Sequence, residues 1–196
     1  MHWRRIACLL LGAWLAGSLV VDWVATSNFA AVDRVFVSPP PEIQKTTTTL
    51  GAGQARMLLR FLVSTENANY FVTWELVEFG LLLALSAVLI SEREMRLLTV
   101  FPVVLLLLVA FQHFRLTREI IWLGREMVLA GGSASERTRE QFGLIHGMYG
   151  TIEVLKLLLA VVLAVWMVIR GFGRRMRRAA KKSLVSAPAP DRRYVG

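Results

Sequence analysis

"YFVTWELVEFGLLLALSAVLI", residues 70–90, is the stretch on which the reading of the whole chain turns. A helix needs about 20 residues to cross the roughly 30 Å of hydrocarbon in a bilayer. This run has that length and an apolar composition, yet it holds two carboxylates, Glu75 and Glu78, in its first half. An ionised side chain at mid-membrane depth costs roughly 2.5–3.5 kcal/mol. A span that keeps two of them requires partners from elsewhere in the chain.

Working outward, three more runs are apolar over a similar length: 6–26, 97–115 and 149–169. Together the four predict an all-α fold, an integral membrane four-helix bundle whose helices extend beyond the outer face of the bilayer. The membrane domain fills residues 1–172, with outer segments at 27–69 and 116–148. A basic, unstructured cytoplasmic tail follows over 173–196. Composition agrees: 55% of the 196 residues are hydrophobic and the mean hydropathy is +0.52, while the net charge is +9. Soluble globular domains seldom combine these. The opening "MHWRR" and "IACLLLGAWLAGSLVV" outline a secretory leader. Asp22 and Trp23, however, stand where a cleavage site needs small residues, and the expectation is a retained first span.

Arginine placement sets the expected orientation. Arg4 and Arg5 precede the first span, Arg93 and Arg96 lie in the short "SEREMR" turn, and "RGFGRRMRRAAKK" follows the last span. All fall on one side, which is read as cytoplasmic, with the chain in the cell's inner (plasma) membrane and both termini inside. Arg174, Arg175, Arg177, Arg178, Lys181 and Lys182 are expected to meet anionic lipid headgroups. Their charge adjoins apolar runs, so lipids and not nucleic acid are the expected partner.

Several function classes find no support. Cys8 is the single cysteine, which rules out an internal disulfide and a paired-cysteine zinc site. No P-loop, dinucleotide fingerprint, HExxH or GxSxG occurs. No cofactor and no enzymatic activity are expected.

On the outer side, "VSPPPEIQKTTTTLGAG" (37–53) reads as a proline-broken loop. "QARMLLRFLV" (54–63) reads as a short amphipathic helix lying on the membrane surface or against the bundle, with Met57, Leu58, Phe61 and Leu62 on one face and Arg56 and Arg60 nearby. The helical pattern of the third span continues to about Ala130, "GGS" turns the chain, and Ser133 or Ser135 caps the next helix. A helical hairpin should therefore project from the outer face.

Counting at 1.5 Å per residue brings the polar residues of all four spans to one depth in the outer half. The group comprises Asp22, Glu75, Glu78, His113, His146, Tyr149, Glu153 and Lys156. His146, Tyr149, Gly150, Glu153 and Lys156 follow helical spacing, as do Glu75 with Glu78 and His113 with Thr117. Such stripes face a bundle interior and not lipid. The pairs Gly12/Ala16, Ala13/Gly17 and Ala160/Ala164 have the small-xxx-small spacing of close helix packing, within the bundle or against a second copy.

The segments "VATSNFAAVDR" (24–34), "ARMLLR" (55–60), "NYFVTWE" (69–75), "HFRLTREI" (113–120) and "FGLIHGMYGTIEVLKL" (142–157), in this order and spacing, resemble a family of small bacterial four-span proteins that form a domain of unknown function. The layout is also similar to a small eukaryotic four-span group with a His-Gly before its last span, here His146 and Gly147. The resemblance covers residues 10–170. It implies an inner-membrane protein and brings no reaction, substrate or cofactor with it.

The reading that follows is non-enzymatic: a bundle whose charged layer fixes helix register and presents the outer hairpin to a protein partner or a second copy. The alternative is proton- or cation-linked transport or ion binding by that layer. Metal or haem binding comes third, through Glu75, Glu78, His113, His146 and Glu153, although the Glu-x-x-His pairs of di-metal bundles are missing.

Overall fold

The computed structural model describes residues 2–130 and 133–186. Helix α1 (His2–Val37) is followed by the short α2 (Pro41–Leu50) and by α3 (Ala52–Ser91). A 3-10 turn (Arg93–Thr99) leads into α4 (Val100–Phe111). A π turn (Gln112–Leu116) joins α4 to α5 (Thr117–Leu129), and α6 (Glu136–Ser186) completes the chain. No strand occurs among the described residues. Four helical stretches there are long and apolar enough to cross a membrane: Trp3–Val37, Ala52–Ser91, Met95–Leu129 and Glu136–Ile169. The chain is a multi-pass, all-α membrane protein.

Each long helix buries one stripe at heptad-like spacing. In α3 the stripe is Glu75, Glu78, Leu82, Leu85 and Leu89; in α6 it is Tyr149, Lys156, Ala160, Leu163 and Met167. The carboxylates and the lysine thus continue the apolar rows of their own helices upward. α1 packs chiefly along α3, α3 along α4 and α5, and α5 along α6, while α1 touches α6 more sparsely. The half of the interior toward the N-terminus of α1 is apolar: Trp14, Leu82, Leu85, Leu105, Val109 and Leu163 fill it. At that end Arg4 Nη2 donates to the Met167 carbonyl, tying α1 to α6.

Three sequence expectations need correction. Residues 41–50 form a helix where a loop was expected. Pro41 stands at the first helical position and Glu42 in the first turn, both suited to a helix start. The threonine hydroxyls of 46–49 turn back onto carbonyls three or four residues earlier, at 2.8–3.1 Å. Gly51, at φ 84°, ends the element with a conformation that glycine adopts without strain.

Second, 54–63 is the first part of the long α3 and not a short helix of its own, and of the two expected placements it takes the one against the bundle. Arg60 pairs with Asp33 of α1 at 3.0 Å. Arg56 approaches the same carboxylate at 4.0 Å and lies over the Phe36 ring. Third, α6 runs to Ser186, so the backbone over 173–186 is helical where an unstructured tail was expected. Residues 187–196 of that tail lie outside the described residues. The side chains of Arg174, Arg175, Arg177, Arg178, Lys181 and Lys182 lie outside them as well.

The expected hairpin forms between α5 and α6. Ser135 is the residue that caps α6, its Oγ accepting the Thr138 N–H at 3.1 Å. Thr138 Oγ1 in turn donates to Glu126 of α5 at 3.3 Å.

Candidate functional site: a charged layer across the bundle

Glu75 and Glu78 are 1% and 0% exposed, although the residues beside them on α3, Leu76 and Val77, are exposed and apolar. Val154 and Leu155 flank Glu153 in the same way on α6. The layer therefore sits within the apolar belt, turned inward.

Two sub-networks share the layer. In the first, Glu75 accepts three hydrogen bonds: from His113 Nδ1 at 2.8 Å, Thr117 Oγ1 at 2.5 Å and Tyr149 OH at 3.0 Å. Short bonds of this kind are the charge-assisted ones. Phe71 packs edge-on against Tyr149, and Phe79 and Phe114 pack edge-on against His113, which screens this network with aromatic surface.

In the second, Lys156 is 0% exposed and its ammonium donates to both Glu78 oxygens, at 3.1 and 3.0 Å. It also pairs with Glu153 Oε1 at 2.9 Å. Gln112 Nε2 donates to the same Glu153 oxygen at 3.0 Å. Asp22 of α1 interacts electrostatically with Glu153 and Lys156. No side-chain donor among the described residues reaches its carboxylate.

A π turn carries two members of the layer. The Thr117 N–H bonds the Gln112 carbonyl, one residue further along than the α pattern. The consecutive side chains Gln112 and His113 reach different carboxylates, Glu153 on α6 and Glu75 on α3.

Of the expected residues, Asp22, Glu75, Glu78, His113, Tyr149, Glu153 and Lys156 are brought to this layer. His146 is not. It is exposed and stacks on Phe142 at 5.6 Å. Three residues before Tyr149 is about 60° around the helix, enough to turn it out of the buried stripe. That removes one partner from the bis-histidine haem arrangement. Among the described residues no group of three or more His, Cys, Asp or Glu is arranged to hold a metal ion.

Gln112 was missed as a member of the layer. The signal for it was a lone amide at the end of an apolar run, one residue before His113. Also missed was a clasp one level further out. There Asn28 donates to Asn67 at 2.8 Å, and the buried Asn67 donates to the Ala25 carbonyl at 3.0 Å, joining α1 to α3. Beneath the layer no polar path continues among the described residues. Ser86, in the apolar half, turns its hydroxyl to the Leu82 carbonyl at 2.8 Å.

Compared with known proteins, the chain matches no family model, no curated protein and no solved structure.

Proposed function

We propose that this is a non-enzymatic inner-membrane protein, with both termini cytoplasmic, whose charged layer locks the register of its helices. Locked in this way, the outer extensions offer a fixed surface to a protein partner or a second copy. The observation that carries the reading is Lys156: fully buried, and bonded to carboxylates of α3 and of its own helix. A buried charge of this kind is costly unless paired, so only one alignment of the helices satisfies it. Kinship with the four-span bacterial family belongs to the same proposal, on the five segments quoted above. So do the arginine-based orientation and the contact of the basic segment with lipid headgroups rather than nucleic acid.

The test is in-membrane photocrosslinking from Trp122, which is exposed on α5. A discrete crosslinked species is expected in the wild type and its loss in Lys156→Met. Crosslinks to lipid alone in the wild type would sink the reading.

A second reading, ion binding by the layer, is favoured by one observation. Four carboxylates, Asp22, Glu75, Glu78 and Glu153, gather around one lysine and one histidine. Passage across the membrane is not favoured, because the apolar packing of Leu82, Leu85, Leu105 and Val109 lies below them.

A further inference from the structure

The second sub-network is short of positive charge. Lys156 supplies one unit, and its hydrogen bonds go to Glu78 and Glu153. Asp22 brings a third carboxylate within electrostatic reach of the same ammonium. Three carboxylates against one ammonium leave an excess of two negative charges in surroundings that are apolar on the lipid side. Charge left unpaired in such surroundings is neutralised by a proton or a counter-ion before it is tolerated.

A second observation points to the same place. Gln112 is 0% exposed, and while its Nε2 holds Glu153, its Oε1 has no donor among the described residues. Turning the amide over would set oxygen against oxygen and satisfy nothing. Ser18, buried and one turn from Asp22 on the same face of α1, also has an unpartnered hydroxyl. Buried polar atoms without partners are rare and each calls for a reason. A missing donor beside a surplus of carboxylate has one simple remedy.

We propose that the acidic cluster around Lys156 and Gln112 holds one exchangeable proton, carried by Asp22 or Glu153 and taken up from the outer face. This deepens the ion-binding reading, on which it rests, by naming the ligand and its site. Around it, Glu78 on α3 and Tyr149 and Lys156 on α6 interact electrostatically with Asp22 or Glu153, Gln112 on the π turn donates to Glu153, and Glu75 with His113 forms the neighbouring network. Of these only Lys156, and His113 when protonated, bring positive charge, and His113 is engaged with Glu75. A carboxyl proton supplies the absent donor and removes one negative charge without adding an atom. Asp22 and Glu153 are partly exposed, whereas Glu78 and Lys156 are sealed, so exchange runs through the first two. The apolar packing below closes the inner route.

The test is infrared spectroscopy of the full chain in lipid nanodiscs while the pH is stepped. A protonated-carboxyl stretch is expected at neutral pH, shifting in deuterium oxide and disappearing as the pH is raised. It should also shift on isotopic labelling of either aspartate or glutamate, and be lost in Asp22→Asn or Glu153→Gln. The wild-type spectrum with residue-type labelling needs no variant, so a variant that fails to fold does not block the answer.

Absence of that band at neutral pH overturns the proposal, as does a band that both variants retain. If the band is absent while sodium or potassium chloride raises thermal stability above a choline chloride control, the layer binds a cation and only the proton is excluded. If neither effect appears, the ion-binding reading falls too.

Discussion

At Lys156 the ammonium is bonded to both oxygens of Glu78 and to one of Glu153, and the side chain is wholly buried. Lys156→Met keeps the length of the side chain and removes the charge, leaving Glu78 sealed in the interior without a counter-ion. Removing one partner of a buried pair costs about 3–5 kcal/mol. The variant should lose that much against unfolding in mixed micelles, and Lys156→Met combined with Glu78→Leu should regain part of it, because the sealed Glu78 charge goes with its partner while Glu153 keeps its bond from Gln112. If the double variant is as unstable as the single, the pair does not act as a unit. Charge spacing made much of this legible in the sequence. Glu75 with Glu78, and Tyr149 with Glu153 and Lys156, lie on common helix faces, and antiparallel threading puts them at one height. Gln112 and Asn67 escaped because an amide carries no charge to demand a partner, and spacing alone does not say which amides turn inward.

Among the elements, the four long helices were legible because apolar length is a strong signal, and the α5–α6 hairpin followed from "GGS" and Ser135. The π turn was not. It arises where Gln112, His113 and Thr117 all find partners at once, which depends on the positions of Glu75 and Glu153 on other helices. Helix α2 was masked by its prolines, which mark its start and do not break it. The α1–α3 contact carries its own test. A Cβ at Gly17 would overlap the six-membered ring of the Trp74 indole, whereas at Gly12 it would meet nothing within 4 Å. Gly17→Ala should therefore force the indole out of its seat and cost roughly 1–3 kcal/mol. Gly12→Ala should be neutral or gain up to about 1 kcal/mol from helix propensity alone. Thermal unfolding of the two variants, with Trp74 fluorescence as a local reporter, separates them. Equal stabilities would mean that the contact does not hold the two helices.

For the whole molecule, helix length against bilayer thickness sets the architecture. The 36 residues of α1 and the 40 of α3 span about 54 and 60 Å, nearly twice the roughly 30 Å of hydrocarbon. The surplus lies on the side of the Asp33–Arg60 pair and the Ser135 cap, beyond the charged layer. The charged layer thus has an apolar core on one side and a helical extension on the other. The apolar side is closed by packed leucines and valines. That asymmetry ties the proposed function to orientation, which can be measured directly. In a Cys8→Ser background, Ser133→Cys reports the α5–α6 connection and Ser91→Cys the opposite end of α3; both serines are exposed. With a membrane-impermeant maleimide, Ser133→Cys should label in intact spheroplasts and Ser91→Cys only after lysis. The reverse pattern would put the layer's open side toward the cytoplasm and turn outer-face proton uptake into cytoplasmic uptake. Labelling of both from one side would break the antiparallel threading on which the common depth of Glu78 and Lys156 depends.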